Sequence, residues 1–124
     1  MTLSLRDLAA AILLAILSAS ASASGSYTKT MLVTSYCPCK VCCGPKAHGV
    51  TASGVPAKGA LVAAPPSIPF GTRVSIPGYN GGRPVPVLDR GGAIKGDHLD
   101  VLFPTHRAAL QWGKRYVKVT FYGK

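Results

Sequence analysis

Apolar and polar positions divide this chain into two unlike parts. The first is an unbroken apolar run, Leu8 to Leu17, ten residues long. A bilayer span needs about 20 such residues, so this run fits the core of a signal peptide instead. Small residues follow, and both Ala19-Ser20-Ala21 and Ala21-Ser22-Ala23 fit an Ala-x-Ala cleavage site. The expectation is a signal peptide over residues 1–23 and one domain over 24–124.

After the leader the pattern shifts to a period of two, the mark of β-strands. From Thr28 to Tyr36, Met31, Val33 and Ser35 share one face, and Leu32, Thr34 and Tyr36 the other. Leu61 to Ala64 is a short apolar strand, ended by the turn from Pro65 to Gly71. Thr72 to Ile76 alternates, with Val74 opposite Arg73 and Ser75. Gly78 to Arg83 is a hairpin-type connection. Pro84 to Leu88 is the next strand; Pro84 and Pro86 confine it to a sheet edge or a bulge, and it delivers Asp89 at its end. In His98 to Phe103, His98, Asp100 and Leu102 face one way and Leu99, Val101 and Phe103 the other. One helix follows, capped by Thr105, packing through Ala108, Ala109 and Trp112, and ended by Gly113. Arg115 to Tyr122 closes the chain as an alternating strand with Val117, Val119 and Phe121 on one side. Six short strands, one short helix and pinching turns predict a mainly β fold, a small β-barrel.

Length and composition agree. With 124 residues, 14 Gly and 10 Pro, the chain suits one small domain rich in turns. Its formal net charge of +10 survives removal of the leader's Arg6 and Asp7. Such a surface attracts polyanions, cell-wall polymers among them. No nucleic-acid motif accompanies the charge, so nucleic acid is not an expected partner.

The acids change the picture most. There is no Glu, and apart from Asp7 the only carboxylates are Asp89, Asp97 and Asp100. Asp97, between Gly96 and His98, reads as a turn residue. Asp100 falls in the middle of a strand, where Asp is disfavoured and costly to bury without a partner. A site carboxylate is the simplest explanation. The loop after Asp89 carries Gly91 and Gly92, which let the backbone approach a ligand; it lacks the phosphate-loop pattern.

Four cysteines lie within seven residues: Cys37, Cys39, Cys42 and Cys43. An even count in an exported chain favours disulfides, and three pairings are open. Neighbouring Cys42 and Cys43 would strain to pair with each other, which directs each towards Cys37 or Cys39. The alternative is a structural zinc site of four cysteines, although the spacing is not a standard two-knuckle one. A redox role lacks the expected βαβ context. His48 reads as a solvated loop residue, and His106 as a surface or first-turn residue.

Taken in order, Thr34-Ser35-Tyr36, Thr51-Ala52-Ser53-Gly54, Ile68 to Thr72, Asp89 to Gly96, Leu99 to Phe103 and Ala109 to Gly113 resemble the 3D domain, named for three aspartates. That family includes stationary-phase survival proteins and the barrel of MltA-type lytic transglycosylases. The resemblance implies a six-stranded double-psi β-barrel. It also implies a peptidoglycan-cleaving lytic transglycosylase, acting on the MurNAc–GlcNAc O-glycosyl bond with a 1,6-anhydro-MurNAc product. Asp100 takes the place of the family's catalytic acid/base and Asp89 that of the second aspartate. Lys95, Gly91 and Gly92 match the glycan-contacting loop, with Thr34, Tyr36 and Thr51 as further substrate contacts. The first family aspartate corresponds to Ala64, so this is a two-aspartate version. A lytic reaction needs no water, because the sugar's own C6 hydroxyl attacks. One carboxyl, Asp100, can then serve as acid and base, its pKa raised by burial and by Asp89 and opposed by Lys95 if that amine lies close. No cofactor is required for the chemistry. The expected setting is an exported monomer on peptidoglycan glycan strands, in periplasm, outer membrane or cell wall, or outside the cell. It would have no stable membrane insertion once the leader is cut. The alternative function is a non-catalytic glycan-binding module on the same barrel.

Overall fold

A computed structural model of the chain describes residues 25–45 and 47–123. The expected signal segment, residues 1–23, lies outside the described residues.

Strands β1 (Tyr27–Tyr36), β2 (Val62–Ala63), β3 (Arg73–Ser75), β4 (Val85–Asp89), β5 (His98–Leu102) and β6 (Arg115–Tyr122) form the sheet. They close into a barrel in the order β1-β5-β2-β4-β3-β6. The β1–β5 and β2–β4 pairs are parallel and the other pairs antiparallel. This is the small six-stranded barrel of double-psi type that the alternation and the motifs predict. Its interior takes one residue in two from each strand. Met31 and Val33 of β1, Val85 and Val87 of β4, Leu99 and Val101 of β5, and Val119 and Phe121 of β6 form one apolar cluster. Among the described residues, closure leaves the barrel no open sheet edge for another chain to extend.

The described residues form two α-helices and a short 3-10 turn, Asn80–Gly82. Helix α1 (Lys40–Cys43) is a single turn in the cysteine segment that the apolar pattern does not announce. Helix α2 (His106–Trp112) is the expected one. The Thr105 side chain accepts from the Ala108 N–H, and Gly113 ends the helix at φ 69°, where a Cβ is disfavoured. Its buried face carries Ala109 and Trp112. The Trp112 indole donates to the Val33 carbonyl at 3.0 Å, and Ser35 Oγ donates to the Ala109 carbonyl. Both bonds dock α2 on β1. The Arg115 guanidinium stacks 4.0 Å over the Trp112 ring.

The proline-bearing strand β4 departs from one part of its expectation. It is no edge strand, since β2 and β3 flank it on both sides. The other part holds, because the β2–β4 register slips by one residue: Val62 pairs with Val87, but Ala63 pairs with Asp89. That slip sets up the site. Strict alternation would aim Asp89 into the barrel with Val85 and Val87. The extra residue, Leu88, turns Asp89 to the outer face, which is what a bulge does to the side chain it re-aims.

Candidate functional site

The outer face of four adjacent strands carries one row of paired residues. Ala63 of β2 lies between Asp89 of β4 and Asp100 of β5, and Thr34 of β1 pairs with Asp100 on the far side. Adjacent strands are about 4.8 Å apart, so roughly 10 Å separates the two aspartate Cα atoms, with only a methyl group between them. A second, smaller apolar cluster flanks this row. It consists of Tyr36, Leu61, Ala63, Ile94 and Leu102, with Cys42, Ala57 and Leu88 against it. The loops supplying that cover leave a cleft of about 400 Å³ lined by Tyr36, His48, Ala63, Asp89, Arg90 and Asp100, among others.

The two carboxylates are held differently. Asp89 accepts from the Tyr36 hydroxyl at 2.6 Å, from the Ala52 N–H at 2.8 Å and from the Arg90 N–H at 2.9 Å. It thus ties β1, the 51–55 loop and its own loop together. The hydroxyl it engages belongs to a Tyr whose pKa is raised by burial, then by that hydrogen bond. Among the described residues Asp100 has one side-chain partner, the Thr34 hydroxyl, which donates to Oδ1 at 3.0 Å. Thr34 Oγ1 also lies 2.8 Å from His98 Nε2. A hydroxyl has one proton, so while Thr34 gives it to the carboxylate, the imidazole must donate to Thr34. Burial pushes the Asp100 carboxyl up to about 6. The Thr34 hydrogen bond and the nearby His98 pull it down, and Asp89 adds the smallest upward contribution. A carboxylic acid with that value is partly protonated near neutral pH and can both give and take a proton.

The other residues singled out from sequence fall in several places. Gly91 and Gly92 line the cleft. A Cβ on Gly91 would meet Ile94 Cγ1 at 2.9 Å, so that glycine allows the loop to fold back on Ile94. Lys95 is exposed and outside the cleft lining, and it is not among the groups that shift Asp100. Thr51 is buried and also outside the lining. Its hydroxyl donates to the Val55 carbonyl at 2.9 Å, which shapes the loop that presents the Ala52 N–H to Asp89. Asp97 is in an exposed ion pair with Lys29 at 2.7 Å, as a turn acid should be. Ala64 is fully buried in the barrel's apolar cluster and is outside the cleft lining.

Two contributors were not singled out from the sequence. The Ala52 amide is invisible to a reading of side chains. Arg90 donates to the carbonyls of Ile68 at 2.7 Å and Ala64 at 3.3 Å and stacks 4.1 Å over Phe70. Its place beside Asp89 was the available signal.

Next to the cleft the cysteine segment forms its own cluster. All four thiols are free. Cys37, Cys39 and Cys42 converge with His106, and such a group can hold a metal ion. Cys43 stands apart, its thiol donating to the Cys37 carbonyl at 3.2 Å. No disulfide joins any of the four, against the first expectation from sequence, and the converging set is three cysteines and a histidine where the zinc alternative had four cysteines.

A barrel with paired outer-face aspartates on β4 and β5 defines the class, and comparison with known proteins gives the family. Residues 60–122 match the 3D domain, and the chain belongs to that family. It is 37% identical over 81 residues to "Putative cell wall shaping protein YabE" of Bacillus subtilis (strain 168), covering 65% of this chain and 19% of that protein. It is 37% identical over 76 residues to "Cell wall-binding protein YocH" of the same organism, covering 57% and 25% respectively. The chain therefore spans about a fifth to a quarter of the length of these relatives. Among solved structures, the Streptomyces papain inhibitor is similar with a TM-score of 0.50 at 23% identity, over 77% of this chain and 94% of that one. MltA from E. coli is similar with a TM-score of 0.47 at 32% identity, over 64% and 29%.

Proposed function

We propose that this protein acts on the bacterial cell wall as a lytic transglycosylase, cleaving the MurNAc–GlcNAc O-glycosyl bond of peptidoglycan in its turnover. The observation that carries this reading is Asp100: a half-buried carboxyl with a pKa of about 6, opening into a cleft beside a second carboxylate. Cell-wall names among the relatives support the substrate class. In the reaction, the protonated Asp100 gives its proton to the glycosidic oxygen as the C1–O bond breaks. The muramyl C6 hydroxyl then attacks C1, and the Asp100 carboxylate takes the hydroxyl proton. The product is a 1,6-anhydro ring, and the acid is restored with no water consumed. Asp89 stabilises positive charge developing at C1 and holds Tyr36 and the Ala52 loop in place. The loop backbone at Gly91 and Gly92, with Tyr36, lines the sugar path. Thr34 orients Asp100, Thr51 shapes the 51–55 loop, and Lys95 meets the glycan further out. No cofactor enters the chemistry.

The test is mass spectrometry of purified peptidoglycan incubated with the protein. Fragments ending in 1,6-anhydro-MurNAc, lost with Asp100→Asn, are the expected result. Reducing-end fragments would mean hydrolysis instead. The second reading is a non-catalytic glycan-binding module; Ala64 at the first family aspartate's position and the name of the YocH relative favour it. Retention on insoluble peptidoglycan without cleavage would establish that reading.

A further inference from the structure

The cysteine segment and the start of α2 are 63 or more residues apart in sequence but meet beside the cleft at one point. Cys37 Sγ lies 2.7 Å from Cys39 Sγ and 2.9 Å from Cys42 Sγ. His106 Nδ1 faces all three sulfurs, at 3.3 Å from Cys42, 3.8 Å from Cys37 and 4.0 Å from Cys39. The four ligand atoms all lie within 4.8 Å of one another. The structure assigns this group as a tetrahedral zinc site with Cys37, Cys39, Cys42 and His106 as ligands and Cys43 outside it.

Three observations carry the assignment. First, a disulfide joins two sulfurs. It would leave the third sulfur and an imidazole aimed at it without a purpose, whereas a four-coordinate ion uses every member. Second, Cys43 donates to a backbone carbonyl instead, so pairing all four cysteines as two disulfides would require rebuilding α1. Third, the geometry fits the ion. With Zn–S bonds of about 2.3 Å and Zn–N of about 2.0 Å, tetrahedral donors sit roughly 3.5–3.8 Å apart. The imidazole–sulfur distances already bracket that range, and the sulfurs need to spread by about 1 Å. Three thiolates and one imidazole are a donor set that zinc satisfies well.

With four protein ligands the site has no open position, so its role is structural. Zinc would pin the end of β1, helix α1 and the first turn of α2 to each other. Tyr36, which donates to Asp89, precedes Cys37 directly, and Cys42 lines the cleft. The ion would thus fix one wall of the cleft without entering it.

The test uses the full chain purified without chelators. Elemental analysis should find one zinc per chain. Exchange with cobalt should give thiolate-to-metal charge transfer together with the ligand-field bands of a tetrahedral ion. A thiol reagent should find one fast cysteine, Cys43, in the loaded protein and four after chelation in denaturant. Outer-shell partners alone are worth about 10–100-fold in metal affinity, so losing a direct ligand in His106→Ala should weaken binding by roughly 100-fold or more. His106→Cys should restore binding with a four-thiolate cobalt spectrum, which separates ligand loss from misfolding. Cys43→Ser should keep the zinc and the spectrum. A chain two hydrogens lighter, with a peptide joining two of the cysteines and no bound metal, would overturn the site. Equal metal loss in Cys43→Ser and Cys42→Ser, or none in His106→Ala, would overturn the ligand set.

Discussion

The inner and outer faces of the same two strands are a natural comparison. On β1 and β5, Met31, Val33, Leu99 and Val101 point into the barrel and are almost wholly buried. Their neighbours Thr34, Tyr36, His98 and Asp100 point outward under a thin cover of loops. One face is packing without polar atoms; the other is a linked set of hydrogen bonds around two carboxylates. The site borrows its rigidity from the core. A strand cannot slip by one residue without exchanging its two faces, so burying Leu99 and Val101 also fixes where Asp100 points.

Substitutions on the two faces should have opposite consequences. Leu99→Ala removes only inner-face packing and should cost about 2–5 kcal/mol in denaturant unfolding. A loss well below that would mean the inner face is not what sets the register. Asp100→Asn should do the opposite at neutral pH. The native carboxyl has a pKa of about 6 against roughly 3.9 unfolded, so ionisation penalises the folded state. That penalty is absent below about pH 4 and grows as pH rises through 6. The variant should therefore be more stable than the parent by about 1–3 kcal/mol at pH 7.5 and equal to it at pH 4, in paired melts. Equal melts at both pH values would mean Asp100 is not held up by burial. Thr34→Val gives the smallest effect. It removes a hydrogen bond that favours the charged carboxylate, so the alkaline limb of the pH profile of the proposed cleavage should move upward with little change in stability. A downward move would place the main influence of Thr34 elsewhere.

The barrel was legible because each strand writes its own period-two pattern and the helix carries its cap and stop, Thr105 and Gly113. Asp100 was legible because a mid-strand carboxylate among so few acids has no bland explanation. What was hidden depends on pairing. Pro86 marked an irregularity, but which residue was skipped, and hence the outward turn of Asp89, is set by β2, whose sequence is distant. The Ala52 amide could not be read because every residue has one. His106 was placed correctly in a first turn, yet the cysteines it meets lie in the segment that follows β1, a contact that no local pattern encodes. Lys95 shows the converse: a motif match fixes a residue's position in a loop, not the direction in which a flexible side chain ends.

The position of β1 has a kinetic consequence. This strand comes first in the barrel, but both its neighbours, β5 and β6, come last. Its hydrogen-bonding edges therefore stay unpaired until nearly the whole chain is available, and every route to closure passes through contacts of long sequence separation. Such topologies fold slowly compared with locally wired ones of the same size. A nascent chain truncated before β6 should behave as an open, protease-sensitive sheet. Completion of the last strand is then the step that commits the molecule to its native state.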